Sequence, residues 1–346
     1  MRKFLIFFFL FLLCKEKREL KVAILFELTG KYSNYANEAL LGVDFFKKNN
    51  LKLPFEIEIF DFKSDSENLK IKIEEILKDE KFLCIIGPLI SKFALYASSL
   101  CEENKIPLIT PTATSPFIKK DKNYIYSMTY SDIDQAKAIA KFAIEYYGID
   151  KFAIIYKKDE PYSKVLFEEF KKSIQEMGGK TLAVEEFDRE NIISKISYLK
   201  KVNPSGIFAP LYAEEAIFFV KKCIGENFTP IFLGGDGWYS EEVVKELKNY
   251  SKKEIKVFIS SPFHPDIEIE EYRDFINEFE IEYGKKPNFL SALSYESVHF
   301  LSKCFENLRF YNRENLNNSI KKLYVQKKKV WILKLKEEGF DVIFGI

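Results

Sequence analysis

An α/β protein of two doubly wound parallel-sheet lobes, joined by hinge crossovers, is the fold this sequence predicts. Apolar periods of strand type and helix type alternate along nearly the whole chain, and after one complete array the alternation starts again. The length, 346 residues, exceeds one ordinary core and suits two domains of common size.

In the first array, residues 22–28 form a near-continuous apolar run, as in a strand covered on both faces. A helix over 35–47 follows, with Ala36, Ala39, Leu40, Val43 and Phe46 on one stripe. Phe55, Ile57 and Ile59 alternate with Glu56 and Glu58, which predicts a strand with one wet face near a sheet edge. A Lys/Glu-rich helix over 66–79, a buried strand over 82–86, a helix over 91–104 and a short strand over 106–109 complete the array.

The second array opens at Ser131-Asp132-Ile133-Asp134, a capping-box spacing with Asp in place of the usual Glu, ahead of an apolar helix through Tyr147. Strands over 152–156, 182–187, 206–210 and 230–233 then alternate with helices over 162–177, 191–201 and 213–224, the first of which stops at Gly178-Gly179. Pro262 and Pro265 break regular structure after a strand at 256–259 and suit a crossover. Helices over 268–283 and from Phe289, and a strand pair at 330–335 and 340–344, close the chain. The lobes expected are 20–131 with 262–325, and 132–261 with 326–346. Right-handed crossovers aim both sets of strand C-termini at the gap between them, where open α/β sheets bind ligands. The sequence has no long linker or low-complexity tract, which favours rigid-body hinging over flexible tethering.

Lys+Arg 53 against Asp+Glu 52 leaves a charge of +1, so no overall field favours nucleic acid. The 34 Phe and 19 Tyr can fill large cores and line a cleft with aromatic faces. Of the two histidines, His264 lies between prolines and His299 on an apolar helix face. No Ser/His/Asp set, Gly-x-Ser-x-Gly elbow, Walker loop, dinucleotide fingerprint or metal pair can be assembled, so the reading is of a non-enzyme without cofactor or metal. Cys84, Cys101, Cys223 and Cys304 fit no zinc spacing and read as buried free thiols.

At the N-terminus a basic Met1-Arg2-Lys3 precedes ten apolar residues, Phe4 to Leu13. At about 1.5 Å per residue this is half a bilayer, a signal-peptide h-region over 1–14 and not a spanning helix. Cys14 at its end resembles the lipobox cysteine of bacterial lipoproteins, with Leu13 where a small residue is usual. The expectation is an exported chain, periplasmic or on the cell surface, lipid-anchored if Cys14 is acylated.

One segment concentrates chemistry: a strand, Thr229 to Leu233, runs into Gly234-Gly235-Asp236-Gly237-Trp238. This sets Asp236 on a tight turn at a sheet's C-terminal edge, where it would anchor an ammonium group. The alternative for this turn is a cap for the next helix at Ser240. Other segments repeat a family's order: Phe26-Glu27-Leu28-Thr29-Gly30, Ile86-Gly87-Pro88, Pro107 to Pro116, Ser131-Asp132, Ser261-Pro262-Phe263 and Ala292-Leu293-Ser294-Tyr295-Glu296. Together these make the chain resemble the branched-chain amino acid-binding periplasmic proteins, the type I substrate-binding proteins of ABC importers.

The resemblance implies an amino acid clamp. Ser91, with Thr112 and Thr114, matches the family's carboxylate site, Thr112 standing where Ala or Ser is more usual. Asp236 matches the acidic residue facing the ammonium, where the family often has Glu. Tyr162 and Tyr212 match aromatic positions of the second lobe, and Tyr35 and Tyr295 those of the first. Independently of kinship, hydroxyls and free amides at helix N-termini bind anions. The alternatives are plain N-caps for Ser91 and Thr114 and core packing for the tyrosines. A charge pair near 4 Å is worth about 4 kcal/mol at an effective dielectric near 20, against about 0.8 kcal/mol for a buried methylene. The clamp therefore sets the ligand class, and the side-chain pocket grades only within it. What the resemblance implies is a monomeric binding protein that closes on an amino acid and hands it to a membrane permease. The rival function is a sensor of the same fold, in which closure signals.

Overall fold

A computed structural model describes residues 19–346 apart from 51, 252–254, 307 and 327–328. The signal segment expected over 1–14, and Cys14 with it, lies outside the described residues. The first sheet holds β1 (Lys21–Phe26), β2 (Glu56–Asp61), β3 (Phe82–Ile86), β4 (Leu108–Thr110) and β5 (Ile125–Ser127) in the order β2-β1-β3-β4-β5, all parallel. β1 and β3 are buried almost throughout, as their unbroken apolar runs require. At the edge, the alternation of β2 departs from expectation: Ile59 is 41% exposed, while Phe60 packs on Phe82 with ring centroids 5.6 Å apart. The larger ring takes the covered position because it removes more apolar area from water.

Helices α1 (Ser33–Asn49), α2 (Ser66–Lys78) and α3 (Ser91–Glu103) connect these strands. Asp65 caps α2 by accepting from Asn68 N at 2.9 Å. After β5 the chain crosses to the second lobe through α4 (Asp132–Lys141), whose Ser131/Asp134 capping box forms as the spacing predicts. The helix expected through Tyr147 changes at Phe142–Tyr146 into a π-turn.

The second sheet contains β6 (Lys151–Tyr156), β7 (Lys180–Glu186), β8 (Gly206–Phe208), β9 (Ile231–Gly234), β10 (Val257–Ser261), β11 (Trp331–Leu335) and β12 (Phe340–Gly345). Their order is β12-β11-β10-β9-β8-β6-β7, with β11 and β12 antiparallel to their neighbours and the rest parallel. Its helices are α5 (Pro161–Glu176), α6 (Ile192–Val202), α7 (Ala213–Gly225) and α8 (Glu241–Ser251). Leaving β10, the chain returns to the first lobe for α9 (Arg273–Tyr283), α10 (Phe289–Glu306) and α11 (Arg313–Leu323), then crosses again to β11. α10 lies along α1 at a separation set by Gly42, where a Cβ would stand 1.9 Å from Ser291 O.

The strand expected over 106–109 begins two residues later, and the helix expected from 268 starts at Arg273 after a 3-10 turn at Glu270–Tyr272. β5 and α11 are elements that periodicity missed. β5 is three residues long, too short for a period, and α11 exposes most of its surface and buries chiefly Leu316, Asn317 and Ile320.

Candidate ligand-binding site between the two sheets

Where the strand ends of the two sheets face each other, a small cavity of about 30 Å³ brings together Ser91, Thr112 and Thr114 from the first lobe and Tyr162, Tyr212 and Asp236 from the second. Tyr35, Leu89, Phe289 and Leu290 also line it. A groove of about 980 Å³ runs outside the same crevice and shares Tyr35 and Leu290. We place the site in the smaller cavity, because opposed polar groups converge there, whereas the charged side chains along the groove are dispersed.

On the first-lobe wall, Ser91 is the first residue of α3 and Ile90 occupies the N-cap position, with no side-chain cap. Ser91 is therefore not the helix's cap. Its Oγ accepts from Thr114 N and Ser115 N, each at 3.3 Å, which leaves its own proton free to donate. The Thr112 hydroxyl donates to Leu89 O at 3.1 Å and that of Thr110 to Pro88 O at 2.7 Å, so the 110–115 loop is fastened to the turn that starts α3. All three hydroxyl residues read from the sequence, Ser91, Thr112 and Thr114, are buried. Hydroxyls and amides without a cation suit a carboxylate.

The opposite wall is built on the Gly-Gly-Asp-Gly-Trp turn, a single 3-10 turn at Asp236–Trp238. Asp236 Oδ1 accepts from the Tyr162 hydroxyl at 2.9 Å and from Gln135 Nε2 at 3.4 Å. Tyr162 also accepts from Gly237 N at 2.9 Å. This approach is why Gly235 is glycine: a Cβ there would lie 2.3 Å from the Tyr162 hydroxyl. Capping falls instead to Ser240, whose Oγ accepts from Val243 N at 3.1 Å and starts α8. Asp236 is thus aimed inward and is not a cap.

A second carboxylate, not read as a site residue from the sequence, stands beside it. Gln135 Nε2 donates to Asp132 Oδ1 at 2.9 Å, its Oε1 accepts from Ser260 Oγ at 2.7 Å, and Asp132 Oδ2 is buried without a hydrogen-bond partner. Burial pushes Asp236 up to about 6, against the hydrogen bonds of Tyr162 and Gln135. Burial raises Asp132 well above the carboxylate range, with the charge of Asp236 adding to it and the Thr114 side chain opposing it. Bridged by one amide in a dry site, the pair divides: Asp132 keeps its proton, and the Asp236 carboxylate is the member that a cation would stabilise. The signal available in the sequence was the Asp132/Gln135 spacing, i and i+3 on one helix face.

The tyrosines divide. Tyr212 stacks on Tyr162 at 4.9 Å and meets Tyr35 edge-on at 5.8 Å. Tyr35 belongs to α1, yet its hydroxyl donates to Gly237 O at 2.6 Å and accepts from Ala213 N at 2.8 Å, so it ties the first lobe to the second. Tyr295 lies elsewhere. It stacks on Phe275 at 4.3 Å and packs against Phe45, Phe46 and His299, inside the first lobe between α1, α9 and α10. Leu89, Phe289 and Leu290 supply the apolar lining that the sequence reading did not single out. Further contacts span the crevice: Lys31 Nζ to Glu215 at 2.7 Å, the Tyr32 hydroxyl to Glu160 at 3.3 Å, and Lys285 Nζ to Glu241 at 2.7 Å.

Among the described residues no cluster could hold a metal, the four cysteines are buried free thiols, and no helix is long and apolar enough to cross a membrane. Two crossing-linked α/β lobes with a polar crevice define a small-molecule binding protein. The Periplasmic binding protein family matches residues 19–326, and the chain belongs to it. Membership makes residues 19–326 a binding-protein module and implies a place outside the cytoplasm. The leucine-binding protein LivK of Thermotoga maritima superposes with a TM-score of 0.85 at 22% identity, covering 94% of this chain and 98% of its own. A solute-binding protein of R. palustris in complex with benzoate gives a TM-score of 0.83 at 16% identity over 94% and 96%. In sequence, the leucine-, isoleucine-, valine-, threonine- and alanine-binding protein of Pseudomonas aeruginosa is 23% identical over 65% of this chain and 62% of its own. Glutamate receptor 2.8 of Arabidopsis thaliana is 29% identical over 41% of this chain and 15% of the receptor. The chain thus spans less than two thirds of the curated relatives it matches.

Proposed function

We propose that the crevice binds the zwitterionic end of an amino acid, and that the protein is the substrate-binding component of an ABC importer. The observation that supports this is the opposition of two unlike walls on one cavity: the uncharged hydroxyl residues Ser91, Thr112 and Thr114, with the Ser91 proton free to donate, and the carboxylate of Asp236. An arene carboxylate such as benzoate would satisfy the first wall and leave the Asp236 carboxylate buried without a cation, which is costly. The leucine-, isoleucine- and valine-binding relatives agree with an apolar side chain against Leu89, Phe289 and Leu290. In this reading residues 20–131 with 262–325 and 132–261 with 326–346 are the two bodies that close. The ligand docks first on Ser91, Thr112 and Thr114, and the second lobe then brings Asp236, Tyr162 and Tyr212. Acylation of Cys14 would hold the protein at the membrane beside its permease.

A thermal-shift screen of the twenty amino acids with benzoate and 4-hydroxybenzoate tests the ligand class, since tight ligands raise apparent stability by mass action. One or more apolar amino acids should raise the melting temperature. A response to the benzoates alone would reject the zwitterion clamp. A sensory role is the second reading, favoured by the match to a plant glutamate receptor. Loss of amino acid uptake on deletion of the gene distinguishes transport from sensing.

A further inference from the structure

Glu27 directly follows β1 and is wholly buried, yet it belongs to neither wall of the cavity. Its Oε1 accepts from Ile90 N at 3.0 Å and its Oε2 from Leu89 N at 3.4 Å. Leu89, Ile90 and Ser91 are consecutive lining residues of the cavity and form the entry to α3. The carboxylate therefore grips, from behind, the turn whose front face presents Ser91. It also competes for the same positive helix end that an anionic ligand group would use.

We propose that Glu27 is the positioning residue of the anion-binding end: it fixes the 89–91 turn, and it takes up a proton from solvent when a ligand carboxylate docks at Ser91. The second half rests on the amino acid reading above. Two negative charges at one helix terminus in a dry environment repel, and the one that can be neutralised locally is Glu27. Burial already pushes it up to about 7, with the Ile90 and Leu89 amides opposing and the charge of Asp61 on β2 adding to the rise. Asp61 is itself fixed as an anion by Thr29 and by Lys63 N. The turn from β3 contributes amides, and Lys92 on α3 is exposed to solvent. A proton at Glu27 thus costs little near neutral pH, and the ligand's carboxylate stays ionised.

Two measurements decide the matter. In the ligand-free protein, Glu27→Gln should speed hydrogen exchange at the Leu89 and Ile90 amides by about tenfold or more relative to the β1 amides, because the amide nitrogen cannot accept. Unchanged exchange overturns the positioning role. Calorimetry with L-leucine at pH 7.5, in buffers of different ionisation heat, should show wild type taking up roughly half a proton more per leucine than the Gln variant. Equal proton counts overturn the coupling. Where Gln prevents folding, the Glu27 carboxyl carbon of wild type is titrated by NMR with and without L-leucine. An upward shift of about one unit or more on binding is expected, and no shift overturns the coupling. Wild type that binds neither L-leucine nor any other amino acid sinks the functional reading and the coupling with it, while the exchange result still decides the positioning role.

Discussion

Asp236 carries two opposed demands. Its carboxylate is buried, and its folded-state value of about 6 lies above the 3.8 of a free aspartate. The folded chain therefore holds this proton more tightly than the unfolded one. The stability it withholds at neutral pH returns as pH falls through about 6 toward 4. Asp236→Asn keeps an acceptor for Tyr162 and Gln135 and removes the charge, so it should stabilise the ligand-free protein by about 2 kcal/mol in denaturant unfolding. The same change should weaken amino acid binding by about a hundredfold or more. A variant that bound normally would remove Asp236 from the site. Amino acid affinity in wild type should fall about tenfold per pH unit below about 6, because only the carboxylate form pairs with the ammonium. A flat profile from pH 5 to 7 in calorimetric titrations would contradict this.

The elements that position these residues were legible to unequal degrees. Unbroken apolar runs such as Phe82 to Ile86 marked central strands, because a strand covered on both faces has no polar side to show. The Ser131 capping box and the Gly-Gly-Asp-Gly-Trp turn were readable for a local reason: each motif satisfies backbone groups or allows close approach within a few residues. Ile59 and Phe60 could not be assigned their faces from alternation alone, since Phe82 on β3, beyond β1, decides which of them is covered. The packing of α10 on α1 is likewise invisible locally, yet it rests on one atom's absence. Gly42→Ala should cost about 1–3 kcal/mol of unfolding free energy, because the Ser291 carbonyl cannot retreat without moving a helix. An unchanged midpoint in chemical denaturation would show that the two helices slide freely.

At the scale of the whole molecule, the two lobes are joined by contacts that no single lobe contains. The Tyr35 hydroxyl satisfies a donor at Ala213 and an acceptor at Gly237 in the other lobe. Tyr35→Phe should leave both without that partner on closing and weaken ligand affinity by about tenfold, with the ligand-free fold unaffected. Small-angle scattering should then show less compaction at a given amino acid concentration than for wild type. Unaltered affinity would mean that Tyr35 only packs. By itself the sequence determined the two lobes through their repeated periodicity and Asp236 through its glycine turn, because both signals are local, while Ser91, Thr112, Thr114, Tyr35, Tyr162 and Tyr212, which line the same cavity, were reached only through the family resemblance. Tertiary structure alone decided that Tyr295 packs against the first lobe's core away from the cavity, that Asp132 joins Asp236 through Gln135, and that Glu27 backs the Ser91 turn. Each of those depends on which distant segment fills the space opposite, and a periodicity along one chain segment carries no information about its neighbour across the sheet.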